Sequence, residues 1–418
     1  MYRILLRRIA GGLRVTLCAM CCQLGLAQES AKAEDGAKIK ADATTTAGKK
    51  AAKAKTGAAT GTAAMVEAGP PVMDRAPVTL VPGRRLPNQG GFRNGQDMYD
   101  WLGGAGDIWW DGSNPISTAD AVKKFVAGQG SDAMKAPRPK KVKLYMQGGI
   151  PRLRTFTYQQ CADNDPKVKA AWVEIAKACV EGGYRDCVFG SSETQTSSKR
   201  WMPSADDINS GRWKKAWMNM VDDIRSVMPD AKFAFVPFTG NQFENSGMAA
   251  NPDNKIDEKD MWYVAGKDEA GRPYMDFWGS TVYFGTHPAK WGYPKPVTKD
   301  IIDQCMDAIR SPVTNCHTNW GFMANYQYAR EKGIKMVIGE IGITNRNEDK
   351  KMAMGDQPYA IDLLTKLMVD CSDLIEFVCW FNLRNGGTGW NSLDGKSNMP
   401  HAAKRVQELW GPDSPYRK

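Results

Sequence analysis

From Lys141 to Trp410 the chain switches repeatedly between short apolar runs and amphipathic stretches, and no other feature constrains its fold as much. Short apolar runs bounded by Gly and Pro read as strands, and apolar residues spaced three and four apart read as helices. The expected strands are Val78–Val81, Asp107–Trp110, Lys141–Met146, Asp186–Gly190, Lys232–Pro237, Met275–Phe284, Lys335–Ile343 and Ile375–Leu383. A short helix is expected at Gln96–Trp101, and Ser117-Thr118 caps another that reaches about Ala127, with Asp120 near its positive end. Lys167–Glu181 puts Ala171, Ile175 and Cys179 on one face and stops at Gly182-Gly183. Trp213–Val227, Lys259–Val264, Trp320–Lys332, Pro358–Val369 and His401–Trp410 complete the helices. Strand–helix–strand units make parallel sheets with right-handed crossovers, and eight of them predict closure into a single (β/α)8 TIM barrel. An open doubly wound sheet is the alternative, without a G-x-G-x-x-G after an early strand to support it.

The N-terminal part reads differently. Arg3, Arg7, Arg8 and Arg14, the apolar Val15–Ala27 and the small-x-small Gly25-Leu26-Ala27 predict a signal peptide over residues 1–27. The apolar run is too short to span a bilayer, so no stable membrane insertion is expected after its removal. Cys21 and Cys22 raise lipidation as an alternative, but neither follows the leucine and small residues such processing uses. Residues 28–64 are mostly Ala, Lys, Thr, Gly and Asp with no aromatic residue, so residues 28–75 are expected to form a disordered linker before a barrel domain at 76–418.

These first 64 residues, with four arginines and seven lysines against four acids, carry +7 of the formal net charge of +10. The high charge therefore belongs to targeting segment and linker, and no nucleic-acid partner is expected. Seven cysteines remain after signal removal, an odd number for an oxidising compartment. Cys305 with Cys316, or Cys371 with Cys379, are close enough in sequence to pair, although Cys379 also reads as a buried strand residue. Among these seven no C-x-x-C or Cys/His spacing suggests a metal, and neither metal nor cofactor is expected. His287, His317 and His401 show no ligand or triad spacing.

In such a barrel the chemistry lies at the C-terminal ends of the strands. KMVIGEIGI, residues 335–343, carries one carboxylate, Glu340, between two glycines in an apolar run. A charge there is costly unless the strand ends where water or a substrate meets it, or unless it is ion-paired. A second carboxylate, Glu193, follows the fourth strand in SSETQTSS, where it reads alternatively as an exposed loop acid. Two carboxylates across a cleft suit glycosidic bond cleavage: one protonates the leaving oxygen while the other attacks or stabilises the anomeric carbon.

From about residue 95 to 411 the chain resembles the beta-mannanase-type enzymes of glycoside hydrolase family 26. GIKMVIGEIGI resembles the family's nucleophile strand, MDFWGSTVY its Asp-x-x-Gly-x-x-x-Tyr strand, and RWKKAWMNMVDDIRSVMPDAKFAF the helix and strand after its acid/base loop. MGDQPYAIDLL and VCWFN resemble its last helix and strand. The resemblance implies a retaining endo-glycosidase acting on a β-linked polysaccharide, with Glu340 as nucleophile and Glu193 as acid/base, and the signal peptide predicts a secreted or periplasmic location. The family's arginine four before the acid/base, its histidine or tryptophan just before, and its asparagine two after are here Phe189, Ser192 and Gln195. Gln195 is expected to make the asparagine's hydrogen bond from a longer arm. Tyr283 is expected to hydrogen-bond Glu340, or else to be a core tyrosine. Trp380 and Asn382 are expected to floor the sugar subsite, with core packing as the alternative for Trp380. Trp201 and Trp278 are expected to stack on a glycan. The chain is expected to act as a monomer. A barrel that binds polysaccharide during exopolysaccharide export or assembly, with weak or no turnover, is the alternative expectation.

Overall fold

The computed structural model describes residues 84–92, 108–111, 118–126, 143–148, 150–153, 155–192, 203–237, 259–284, 299–310, 321–343, 356–381 and 399–417. The chain divides into two units, and every described residue lies in the second, Glu67–Lys418. The expected signal peptide and linker, the strand Val78–Val81 and the helix Gln96–Trp101 lie outside the described residues.

Eight strands pair in parallel in chain order: β1 (Asn88–Phe92), β2 (Ile108–Asp111), β3 (Lys143–Gly148), β4 (Val188–Ser192), β5 (Lys232–Val236), β6 (Phe277–Phe284), β7 (Lys335–Ile343) and β8 (Ile375–Trp380). Because β1 also pairs with β8, the sheet closes into a barrel. The described helices are α1 (Ala119–Val126), α2 (Tyr158–Ala162), α3 (Pro166–Glu181), α4 (Ala205–Asn209), α5 (Arg212–Arg225), α6 (Lys259–Trp262), α7 (Lys299–Arg310), α8 (Phe322–Lys332), α9 (Pro358–Asp370) and α10 (Pro400–Trp410). Thr118 caps α1 as expected, its Oγ1 accepting from Ala121 N at 3.1 Å. Helix α7 is absent from the sequence expectations, although Ile302, Met306 and Ile309 fall on one buried face at helical spacing.

The first barrel strand corrects the expectation. It is NQGGF at Asn88–Phe92, a segment without β-branched residues or apolar alternation. Ladders on both sides hold it: Gly90 is in register with Ile108 and Cys379, and Gly91 with Trp109 and Trp380. The chain's end secures it further, with Gln89 Nε2 donating to Trp410 O at 2.6 Å and Leu86 N to Tyr416 O at 2.9 Å.

Alternation along the strands separates two apolar clusters. Tyr145, Val188, Ala234, Val236, Val337, Phe377 and Cys379 fill the barrel interior, with Phe277 and Phe381 against them. The larger cluster lies between strands and helices, where Trp213 packs on Trp217, Phe235 and Trp262 with ring centroids 5.3–5.5 Å apart. Tyr145 fits the interior only because β4 carries Gly190 beside it; a Cβ there would lie 2.5 Å from the phenol ring. Cys371 and Cys379 are both free and buried, and they belong to different clusters, Cys371 outside the sheet and Cys379 inside it. They do not form the disulfide their spacing allowed; Cys316 lies outside the described residues.

One buried acid in the helix layer carries a pH prediction. Asp223 of α5 is 3% exposed and 4.0 Å from Lys169 Nζ, and its Oδ2 has no partner among the described residues. Burial pushes its carboxyl up to about 6, against the pull of Lys169 and Asn164. A folded-state value above the ordinary carboxylate value means that the native state binds this proton more tightly than the unfolded chain. Stability from this group is therefore full below the ordinary carboxylate value of 3.8, is lost as pH rises through about 6 and stays lower above. Asp223→Asn is expected to raise stability at pH 7.5 by about 1–2 kcal/mol and to give almost no gain at pH 4, as read by urea unfolding at the two pH values.

Candidate active site

The geometry of β7 decides where Glu340 points. Met336 and Ile338 pack in the outer cluster and Val337 in the inner one, so strict alternation would send position 340 outwards into the helix layer. The register shows why it does not. On β6, Ser280 pairs with Ile338 and the next residue, Thr281, pairs with Glu340. On β8, Val378 pairs with Ile338 and Trp380 with Ile341, so β7 takes three steps where β8 takes two. Relative to both neighbours β7 holds an extra residue at Gly339-Glu340, a β-bulge. Beyond it Ile341 and Ile343 pack outwards again.

Both bulge residues face the interior. A Cβ at Gly339 would meet Val236 Cγ1 at 2.7 Å and Tyr145 Oη at 3.0 Å, so this position has room only for glycine. Glu340 is half-buried, and its Oε1 accepts from Gln147 Nε2 at 3.1 Å. Gln147 comes from β3, two residues after the inward Tyr145, and is itself 1% exposed. The glycine before the glutamate is thus what lets the strand turn a carboxylate into the barrel.

Two groups that feel the charge of that carboxylate are neutral. Burial, then the Cys379 thiol and the Glu340 charge, push the Tyr145 phenol well above its usual value. Burial and Glu340 do the same to the Cys379 thiol. Both groups therefore stay protonated at neutral pH. Among the described residues no group of three or more His, Cys, Asp or Glu is arranged to hold a metal ion, and no helix is long and apolar enough to cross a membrane.

Of the other expected site residues, Glu193, Gln195, Trp201 and Asn382 lie outside the described residues. β4 runs to Ser192, the residue before Glu193, where it pairs with Val236. Tyr283 lies on β6 in register with Gly342, two positions beyond the Thr281–Glu340 pair; its side chain is outside the description. Two tryptophans are corrected. Trp278, expected to stack on a glycan, is fully buried on the helix side of β6, with its Nε1 donating to Asn325 Oδ1 at 2.9 Å and its ring 4.7 Å from that of Tyr328. Trp380 also points into the helix layer, fully buried and edge-on to Trp410 at 5.3 Å, while Cys379 and Phe381 take the inward positions of that segment. Neither indole is open to a sugar. Phe189, where the resemblance places an arginine, stacks on Phe233 at 5.6 Å in the outer cluster, so this departure changes the core and not the barrel mouth.

Gln147 and Tyr145 are absent from the sequence expectations. The available signal is LYMQGG, a polar residue at the same parity as an inward tyrosine close to the end of a strand.

No protein-family model and no curated protein matches the chain. Among solved structures it is similar to a double mutant of a Cellulomonas fimi endo-beta-1,4-mannanase, at 11% identity over 79% of this chain and 71% of that one, with a TM-score of 0.47. It is also similar to the catalytic domain of a GH26 endo-beta-1,4-mannanase from Bacillus sp. JAMB-750, at 12% identity over 80% and 90%, with a TM-score of 0.46. A GH53 catalytic domain from Ignisphaera aggregans matches at 11% identity over 82% of this chain and all of that one, with a TM-score of 0.47. The solved structures to which the chain is similar include mannanases of glycoside hydrolase family 26, the family that its sequence motifs resemble.

Proposed function

We propose that the chain is a retaining glycosidase that hydrolyses a β-linked polysaccharide, a β-mannan or a related β-glucan or exopolysaccharide, after export to the periplasm or beyond. The observation that carries this reading is the bulge that turns Glu340 into the barrel, where Gln147 meets its carboxylate at 3.1 Å. Glu340 attacks the anomeric carbon as the glycosidic C–O bond breaks, and Glu193 gives its proton to the leaving oxygen. Water, deprotonated by Glu193, then releases the sugar from Glu340 with net retention. Gln195, Tyr283, Asn382 and Trp201 contact the glycan, and the protein works as a monomer without metal or cofactor.

A polysaccharide-binding barrel without turnover is the second reading, favoured by Ser192 and Gln195 standing on either side of Glu193 where the resemblance places other residues. Incubation of the full chain with a panel of mannans, glucans, xylans and bacterial exopolysaccharides separates the two. New reducing ends, with the β-anomer appearing first by proton NMR, support the hydrolase. Glycan retention without new reducing ends supports the second reading and overturns the first.

A further inference from the structure

We infer that Gln147 is the positioning residue of Glu340, its amide N–H holding that carboxylate in its charged form and in one orientation. The inference deepens the proposed function, and rests on it for the catalytic meaning of Glu340. The contact joins β3 to β7 at 3.1 Å, between residues 193 apart in sequence. Gln147 has little freedom to wander, being 1% exposed in a row that begins with the fully buried Tyr145.

The orientation of the amide is chemically determined. A carboxylate accepts, so the side chain must present its N–H and not its carbonyl, which two facing acceptors would repel. In this orientation Gln147 Oε1 is buried without a partner among the described residues. An orphaned buried acceptor is costly, so the contact made by the donor end is what fixes the side chain in this orientation. The group is arranged for the donor's sake. Tyr145 from β3 and Cys379 from β8, both of which feel the Glu340 charge, remain neutral there. A hydrogen-bond donor to a carboxylate favours its charged form.

The test is a titration of Glu340 by carbon-13 NMR on the full chain labelled at the glutamate carboxyl carbons, with the Glu340 resonance assigned by its loss in Glu340→Gln. A donor to the charged form lowers the carboxyl pKa, so removing it raises that value. Gln147→Leu is expected to move the Glu340 midpoint up by roughly one to two pH units relative to the unsubstituted chain. Gln147→Met, which keeps the length of the side chain and removes both amide groups, is expected to do the same and serves if the leucine variant does not fold. Gln147→Glu places a second carboxylate against the first, and the pair is expected to share a proton and titrate in two coupled steps, the upper at higher pH than in the leucine variant. The acid limb of kcat/KM moves in the same order. Superimposable Glu340 titrations in the unsubstituted chain and in a folded leucine or methionine variant overturn the inference. The titration needs no substrate: a shifted midpoint without glycan cleavage overturns the proposed hydrolase and leaves the positioning role standing.

Discussion

Glu340→Gln is expected to lower polysaccharide hydrolysis by at least about a thousandfold while leaving the folded protein intact, because loss of a nucleophile removes the covalent route altogether. Glutamine has nearly the shape of glutamate, and its carbonyl still accepts the Gln147 N–H, so the interior contacts of the bulge persist. The residues beneath are also untouched: Gly339 keeps its fit against Val236 and Tyr145, and the isoleucines at 341 and 343 stay in the outer core. Release of reducing ends against enzyme concentration measures the loss, and circular dichroism with a thermal melt checks the fold. A folded variant with activity near that of the unsubstituted chain would contradict the role given to Glu340.

The second large effect concerns stability. Arg225 closes α5 with its side chain 1% exposed, and its Nη1 and Nη2 pair with Asp268 at 3.1 Å and Asp276 at 2.9 Å, carboxylates that are 4% and 6% exposed. Its Nη1 also donates to Pro273 O at 2.8 Å, and Asp276 Oδ2 accepts from Phe233 N at 2.9 Å. The network thus ties the end of α5 to the segments entering β5 and β6. Burial raises the Asp276 carboxyl despite the Phe233 N–H and Arg225. For Asp268 burial acts the same way, but the hydrogen bonds from Arg272 and the charge of Arg225 outweigh it and hold the carboxyl below its usual value.

Removing the guanidinium leaves two buried carboxylates short of a partner, and a broken buried pair costs far more than the pair itself contributes. Arg225→Leu is expected to lower unfolding stability by about 3–5 kcal/mol, a large share of the ~5–15 kcal/mol typical of a domain. Denaturant unfolding reads the loss. Lys177→Ala removes the ion pair with Glu174, 2.9 Å long but half exposed on both sides, and is expected to leave the midpoint unchanged. Equal effects from the two substitutions would contradict the burial argument.

Much of the barrel was legible because strands β3 to β8 are apolar runs separated by helices with a clear apolar face. β1 was not, since NQGGF is a strand only by virtue of what pairs with it on either side. The tryptophans show a second limit. A period of two assigns Trp278 and Trp380 to one face of their strands but does not say which face meets the helices, and the partners that decide it, Asn325 and Trp410, come from distant segments. The site had the same property. Glu340 stood out as a charge in an apolar run, but simple alternation aims it the wrong way. The bulge that corrects its aim is a relation between three strands, and the glycine before it is its local trace. Gln147 was invisible for the same reason, since its partner lies 193 residues away.

Trapping the covalent intermediate tests the role of Glu340 most directly. The full chain is treated with 2-deoxy-2-fluoro β-glycosides of manno and gluco configuration, digested with trypsin and mapped by mass spectrometry. The added sugar is predicted on Glu340, in the peptide of residues 336–346, with turnover lost in proportion to labelling. A sugar carried by any other residue, or continued turnover of a natural glycan by fully labelled protein, would contradict it.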